Sequence, residues 1–309
     1  MIVRSGSWEA WGPANDLSAV TIGVLDGVHL GHQRLLSRLD DSLVRTVLTF
    51  DPHPVEVLRP GTPPRLITTV EERIERLESY GVECVGILDL AEIREQGPET
   101  FVEQVLVERF RVEQLVVGED FRFGRDRSGD VALLEELSRS LEFSLETVHL
   151  VASGGDVVSS SRIRALVEAG KVDEAATLLG ARFSLRGEVA HGDKRGRDLG
   201  FPTANIKPPR RKLIPANGVY ACMASVDGDT HQAAVNVGVR PTFGGEDLLV
   251  EAYLLDFDSE IYGSEIALDF VQYLRPELQF ESVEALVVQM AADVEQTRDV
   301  LANPPRVTG

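Results

Sequence analysis

The texture of the chain changes at Gly180, and that change constrains the fold more than any single motif. Before it, strand-like apolar runs alternate with amphipathic stretches. Val20–Val24 is followed by a glycine-bearing turn and a helix through Gln33–Leu39, and Val44–Phe50 is the next strand. Val70, Ile74 and Leu77 recur at helical spacing before Gly81, and Cys84–Leu88 follows. A helix opens near Pro98 and presents Phe101, Val105, Leu106 and Phe110, and Leu115–Val117 gives a fourth strand. Such alternation predicts a parallel sheet covered on both faces, with ligands bound beyond the carboxyl ends of its strands. The stretches 29–32, 53 and 118–121 all emerge at those ends. Two short helices, Arg162–Glu168 and Val172–Leu179, close this half.

After Gly180 the runs are short and β-rich, with glycine or proline at frequent intervals from Gly187 to Gly263, the pattern of a small antiparallel barrel. The last element is a helix with Ser282 as N-cap and Val283, Leu286, Val287, Met290 and Val294 on one core-facing side. The predicted organisation is therefore α/β plus β, with domains at 1–182 and 183–309. At 309 residues each half can bury its own core.

Composition excludes several classes. The formal charge of −19 repels nucleic acid, no apolar run reaches the length of a membrane span, and the N-terminus has no apolar signal region. The two cysteines, Cys84 and Cys222, fall in apolar strand-like stretches of different halves, which fits buried thiols and a cytoplasmic location. Partners are expected to be small molecules, and the chain is compatible with a homo-oligomer. Within this acidic background, seven of the twelve basic residues of 183–309 lie between Lys194 and Lys212, a local attractor for a small anion.

The first chemical motif is His29-Leu30-Gly31-His32, placed where a helix begins after a strand. Backbone N–H groups and the positive helix end make an anion site there, and imidazoles beside it can hydrogen-bond phosphate oxygens. Gly31 would let a ligand approach the backbone. Ser159-Ser160-Ser161 and Arg164 stand at the start of another predicted helix, either as ordinary capping or as phosphate ligands. His53 and the segment Asp120-Phe121-Arg122-Phe123 follow two further strands, and the two phenylalanines suit core packing as well as a ligand wall.

Together these residues resemble the nucleotidyltransferase superfamily marked by H-x-G-H and a late S-S-x-x-x-R segment. More narrowly, residues 15–180 resemble the adenylyltransferase module of bacterial bifunctional riboflavin kinase/FAD synthetases. Two departures are Leu25, where that family usually carries Phe, and Ser161, where Thr is common. The resemblance implies a Rossmann-like domain that joins the phosphate of FMN to the α-phosphorus of ATP. His29, His32 and Arg164 would be catalytic. Gly23, Asp26, Gly31, Asp120, Ser159, Ser160 and Ser161 would bind ATP, and His53, Phe121 and Phe123 the flavin.

The second motif, Gly192-Asp193-Lys194-Arg195-Gly196-Arg197-Asp198-Leu199-Gly200-Phe201-Pro202-Thr203-Ala204-Asn205, is longer and more specific. Its glycines permit a tight loop near a phosphate chain, and Thr203 and Asn205 offer two oxygens suited to Mg²⁺ bridging ATP phosphates. Neither a G-x-x-x-x-G-K-[ST] loop nor a protein-kinase catalytic loop is present. The run closely resembles the riboflavin kinase signature, which continues through Asn236–Phe243, Val250–Phe257 and Tyr273–Glu277. The resemblance implies that Thr203 and Asn205 hold metal and ATP with Gly192 and Gly196, that Glu251 is the general base, and that Arg275 contacts flavin. Periodicity alone points Glu251 toward solvent. The implied cofactor is Mg²⁺, with ATP as co-substrate and riboflavin, FMN and FAD as substrates and products. A front domain that no longer catalyses, an adenylyltransferase for another acceptor, and a flavin-binding module without turnover remain open on these residues.

Overall fold

The computed structural model describes residues 1–191, 200–242 and 245–307, and the side chains of all of these except 240–242 and 245–247. Packing divides the chain into two units, Met1–Pro64 with Thr68–Ser159, and Arg65–Ile67 with Ser160–Gly309.

The first unit is built on six strands: β1 Ile2–Arg4, β2 Ser18–Ile22, β3 Val44–Phe50, β4 Cys84–Leu88, β5 Val112–Gly118 and β6 Ser144–Val148. They lie in the order β1-β4-β3-β2-β5-β6 with every pair parallel. Four are the strands anticipated from sequence. The other two, β1 and β6, are the edges of the sheet, where half-exposed residues give no strong periodic signal. Val20, Ile22, Leu48, Leu115 and Val117 pack into one core, and Ala19, Val47, Val85 and Val116 into another. Both faces of the central strands are thus covered, as a parallel sheet requires. The strand order turns back between β2 and β5, which makes their carboxyl ends the topological switch point.

Helix α1 spans Leu30–Leu36, beginning within the His29–His32 motif as expected and ending three residues before Leu39. Then come α2 Pro54–Leu58, α3 Val70–Ser79 and α4 Leu90–Ile93. Thr69 and Glu72 form a reciprocal capping box on α3. Helix α5 starts with Pro98 at its first turn and runs through Phe101 into a π-helical stretch, Val102–Arg109. Phe101, Val105, Leu106 and Phe110 are all buried, as their spacing predicts. Helix α6, Val131–Ser140, precedes β6, and a two-stranded hairpin, β7 Ala152–Ser153 and β8 Asp156–Val157, follows it.

The second unit begins with α7 Ser160–Glu168 and α8 Val172–Leu179. Helix α8 stops at Gly180, which takes the left-handed conformation a C-terminal glycine permits. By packing, both helices group with the barrel, although the sequence reading attaches them to the first half. The barrel is closed and wholly antiparallel in the order β10-β13-β12-β11-β14-β9. Its strands are β9 Phe183–Ala190, β10 Ala204–Lys207, β11 Gly218–Val226, β12 Asp229–Thr242, β13 Gly245–Leu254 and β14 Glu265–Arg275. Leu185, Tyr220, Cys222, Val235, Ala252 and Phe270 fill the interior and are inaccessible to solvent.

The last helix, α9 Val283–Ala302, is capped as expected by Ser282, whose hydroxyl accepts from the Ala285 amide at 3.2 Å. Its buried side differs from the expected one. Val283 is 56% exposed, and Leu286, Val287, Met290 and Val294 are only half-buried. The buried residues are instead Asp293, Thr297 and Leu301, four apart along the C-terminal half. That half is where the helix meets the barrel. Asp293 takes a bidentate pair from Arg275 of β14, Nε–Oδ1 at 2.7 Å and Nη2–Oδ2 at 2.6 Å.

Candidate active sites

At the end of β2 the chain makes a constrained turn. Leu25 and Val28 adopt φ of 48° and 41°, and the Val28 amide closes the turn onto the Leu25 carbonyl at 3.0 Å. Positive φ is costly for a β-branched residue and persists only where the surroundings over-determine it. Both side chains are fully buried. Asp26 lies beneath the turn, its Oδ1 accepting from the Thr68 amide at 2.9 Å and the Thr68 hydroxyl at 3.1 Å. The Gly27 amide in turn donates to Thr68 Oγ1 at 3.0 Å. At least one carboxylate oxygen of Asp26 is therefore committed to holding the turn.

The turn delivers His29 as the N-terminal cap residue of α1 and His32 one turn later. Their rings stack with centroids 3.6 Å apart and planes at 19°. A Cβ at Gly31 would lie 3.1 Å from His29 Cε1 and 3.2 Å from Nδ1. Gly31 thus makes room for the His29 ring, a need the sequence reading assigns to ligand approach. Burial, His29 and the Arg73 guanidinium together hold the His32 imidazole well below its ordinary pKa. Among the described residues, His32 Nδ1 is buried without a hydrogen-bond partner.

The remaining predicted residues of this half are distributed unevenly. Gly23 continues β2, its amide donating to Leu48. His53 caps α2, with Nδ1 accepting from the Val55 amide at 3.2 Å. Asp120 is exposed in the turn after β5, beside the half-buried Phe121. Phe123 is buried in the core against Phe101 and stacks on Phe121. Ser159 ends the first unit, whereas Ser160, Ser161 and Arg164 lie on α7 in the second. Arg164 Nε donates to the Arg65 carbonyl at 2.7 Å.

On the barrel, strand register gathers a different group. Glu251 of β13 is opposite Asn205 of β10 on one side and Asn236 of β12 on the other. Directly paired residues of neighbouring strands share a face. Here the face is the outer one, because Val250 and Ala252 on either side of Glu251 are buried in the barrel. All three polar residues are half-buried. Thr203 lines a cavity of about 250 Å³ with Phe257, Asp258, Glu260 and Tyr262. Asn205 lines a second, of about 390 Å³, with Lys207, Arg210 and Arg211. Phe201 packs edge-on against Tyr253 at 5.3 Å, holding the Pro202–Thr203 approach against β13. Gly192 and Gly196 lie outside the described residues. Arg275, expected at the flavin, is occupied by Asp293 and by the Pro276 carbonyl at 2.8 Å.

These two constellations can be set beside known proteins. Residues 179–301 match the riboflavin kinase family and residues 13–162 the FAD synthetase family. A bifunctional riboflavin kinase/FMN adenylyltransferase of Listeria monocytogenes is 36% identical over 302 residues, 95% of this chain and 95% of that protein. The chain belongs to the bifunctional riboflavin kinase/FMN adenylyltransferase family. A Pseudomonas fluorescens protein of the same description is 37% identical over 91% of this chain and 92% of its own. A crystal structure from Streptococcus pneumoniae, described as a macrolide-efflux protein, shares the fold with a TM-score of 0.90 at 31% identity. The match covers 97% of this chain and 99% of that one. Among the described residues here, no helix is long and apolar enough to cross a membrane.

Two residues that the motif reading passes over stand beside these family sites, and a third, Asn236, falls within its Asn236–Phe243 run without a role of its own. Asn236 flanks Glu251, and a polar residue interrupting the run Ala233–Val239 is the mark that could have found it. Thr68 holds the 26–27 turn, and nothing in its local sequence announces that. Arg73 is fully buried, and its position three residues after Val70 and four before Leu77 sets a charge on the apolar stripe of α3.

Proposed function

We propose that this chain makes FAD from riboflavin in two ATP-dependent steps, with the barrel phosphorylating riboflavin to FMN and the α/β half adenylylating FMN. The observation that carries this reading is the match of each half to a different family, one for each step, in a chain whose relatives combine both. The catalytic halves correspond to residues 1–182 and 183–309.

In the first step the 5′-hydroxyl of the ribityl chain attacks the γ-phosphorus of ATP. An O–P bond forms, the bond to ADP breaks, and the hydroxyl proton must be accepted. Glu251 is the base, half-buried between two amide side chains that can orient its carboxylate without competing for the proton. Thr203 and Asn205 supply two neutral oxygens, a set suited to Mg²⁺, which takes few protein ligands and completes its shell with phosphate and water. Bound there, it would offset charge on the phosphates.

In the second step a phosphate oxygen of FMN attacks the α-phosphorus of the second ATP and pyrophosphate leaves. The nucleophile is already ionised, so this half needs alignment and charge stabilisation but no base. His29 and His32 donate to phosphate oxygens from the start of α1, with Ser159 of the same unit as a further phosphate ligand. The buried free thiols Cys84 and Cys222 fit a reducing cytoplasm.

The test is a time course of purified protein with riboflavin, ATP and Mg²⁺, with flavins separated chromatographically. FMN should rise first and FAD follow at its expense. FMN without FAD would refute the adenylyl half, and unchanged riboflavin would refute the whole reading.

A further inference from the structure

The end of β2 and the start of α3 are joined by more than packing. Thr68, just ahead of α3, binds Asp26 twice and accepts the Gly27 amide. One turn into α3, Arg73 Nη1 donates to Thr49 Oγ1 at 2.9 Å and to the Phe50 carbonyl at 3.3 Å. Thr49 Oγ1 passes the connection on, donating to the Val24 carbonyl at 2.9 Å. The turn carrying the histidines is thus held on both sides of Leu25, at Val24 and at Asp26–Gly27, by residues five apart in α3 and its lead-in.

We infer that Arg73 is a positioning residue for adenylyl transfer, fixing the 24–28 turn and acting on the phosphates through His32. Burial first, then His29 and then the Arg73 guanidinium disfavour a proton on His32. The groups acting electrostatically on that ring are Arg73 from α3 and His29 from the helix start. His32 then meets the nucleotide as a neutral imidazole with one N–H to donate, and the positive charge stays on Arg73, where it cannot be titrated away.

This inference rests on placing FMN adenylylation at His29 and His32, and the experiment separates the two. Arg73→Gln in the full chain should lower kcat for FAD formation from supplied FMN by about a hundredfold, the cost of slight misplacement. KM for FMN should change far less, and riboflavin phosphorylation not at all. In the same variant the His32 ring, followed by NMR, should titrate at a higher pH than in the wild type. Arg73→Lys should bring back the low titration and most of kcat. Retained kcat in Arg73→Gln overturns the inference. So does a lost kcat with unmoved His32 titration and no recovery by lysine, the signature of a merely structural arginine. If Arg73→Gln fails to fold its α/β unit, Thr49→Val serves, since it removes the brace and keeps the charge. It should lose about tenfold in kcat with His32 titration unmoved, and unchanged kcat there overturns the brace. Wild-type protein that makes no FAD would refute the function while leaving the His32 titrations interpretable.

Discussion

The two catalytic ends solve opposite problems of access. In the α/β unit both sheet faces are covered, so a ligand can approach only the strand ends, and the residues proposed for adenylylation sit in a strained turn and the first turn of a short helix. In the barrel the interior is filled by Tyr220, Phe270 and their neighbours, so the proposed chemistry belongs to the outer face of the strands themselves. There Glu251 lies at a position that alternation marks as solvent-facing, with Asn205 and Asn236 abreast of it. The difference teaches that outward polar positions carry little information in one architecture and the proposed base, Glu251, in the other. The proposed means of catalysis differ too: a half-buried carboxylate on a strand face against paired imidazoles at a helix start that would need no base.

The sharpest way to break that comparison is Glu251→Gln. It should cut riboflavin phosphorylation by roughly a hundred- to ten-thousandfold, the usual worth of a general base. ATP binding by calorimetry and FAD formation from supplied FMN should both survive. Undiminished phosphorylation would remove the base from the barrel. Next in size, His32→Ala should slow FAD formation by about a hundred- to a thousandfold, the cost of one transition-state donor. FMN should then accumulate from riboflavin, and normal FAD output would dissolve the contrast. The smallest effect is on stability. The folded-state pKa of His32 lies below the 6.5 of a free imidazole, so the unfolded chain takes up this proton first. Its contribution should be intact above about pH 6.5 and decline as the pH falls below, by no more than about 1.4 kcal/mol per pH unit. Urea unfolding of the α/β unit should show this slope, and His32→Ala should flatten it. Equal slopes in the two proteins would mean that His32 is not held neutral.

Legibility followed the same division. The inner strands of the sheet, the buried face of the π-helical stretch and the glycine stop at 180 could be read because burial imprints periodicity. Edge strands β1 and β6 could not, since half of each meets solvent. Helix α9 misled for a related reason: the apolar residues read as its core face are exposed or only half-buried, while two of its three buried positions carry Asp293 and Thr297. The histidine pair and the Thr203–Asn205 run were visible as motifs. Their supports were less so. Arg73 and Asp293 each put a charge on a stripe that should be apolar, a contradiction readable in hindsight as a buried ionic role. Thr68 and the partners of Glu251 depend on register and on folding back of the chain, which no local pattern encodes.

One detail of the chain path bears on how such enzymes can be taken apart. Residues Arg65–Ile67 leave the first unit, pair alongside Arg211–Leu213, accept the buried Lys212 ammonium at the Ile67 carbonyl at 2.8 Å, and return. Linear order and spatial membership therefore disagree for three residues. A half-molecule starting at Ser160 would keep every barrel strand yet leave a lysine without the acceptor that sequestered it, and its complement would carry a loose thread. Recombining such halves between relatives is a matter of matching that thread to its seat as well as choosing a splice point.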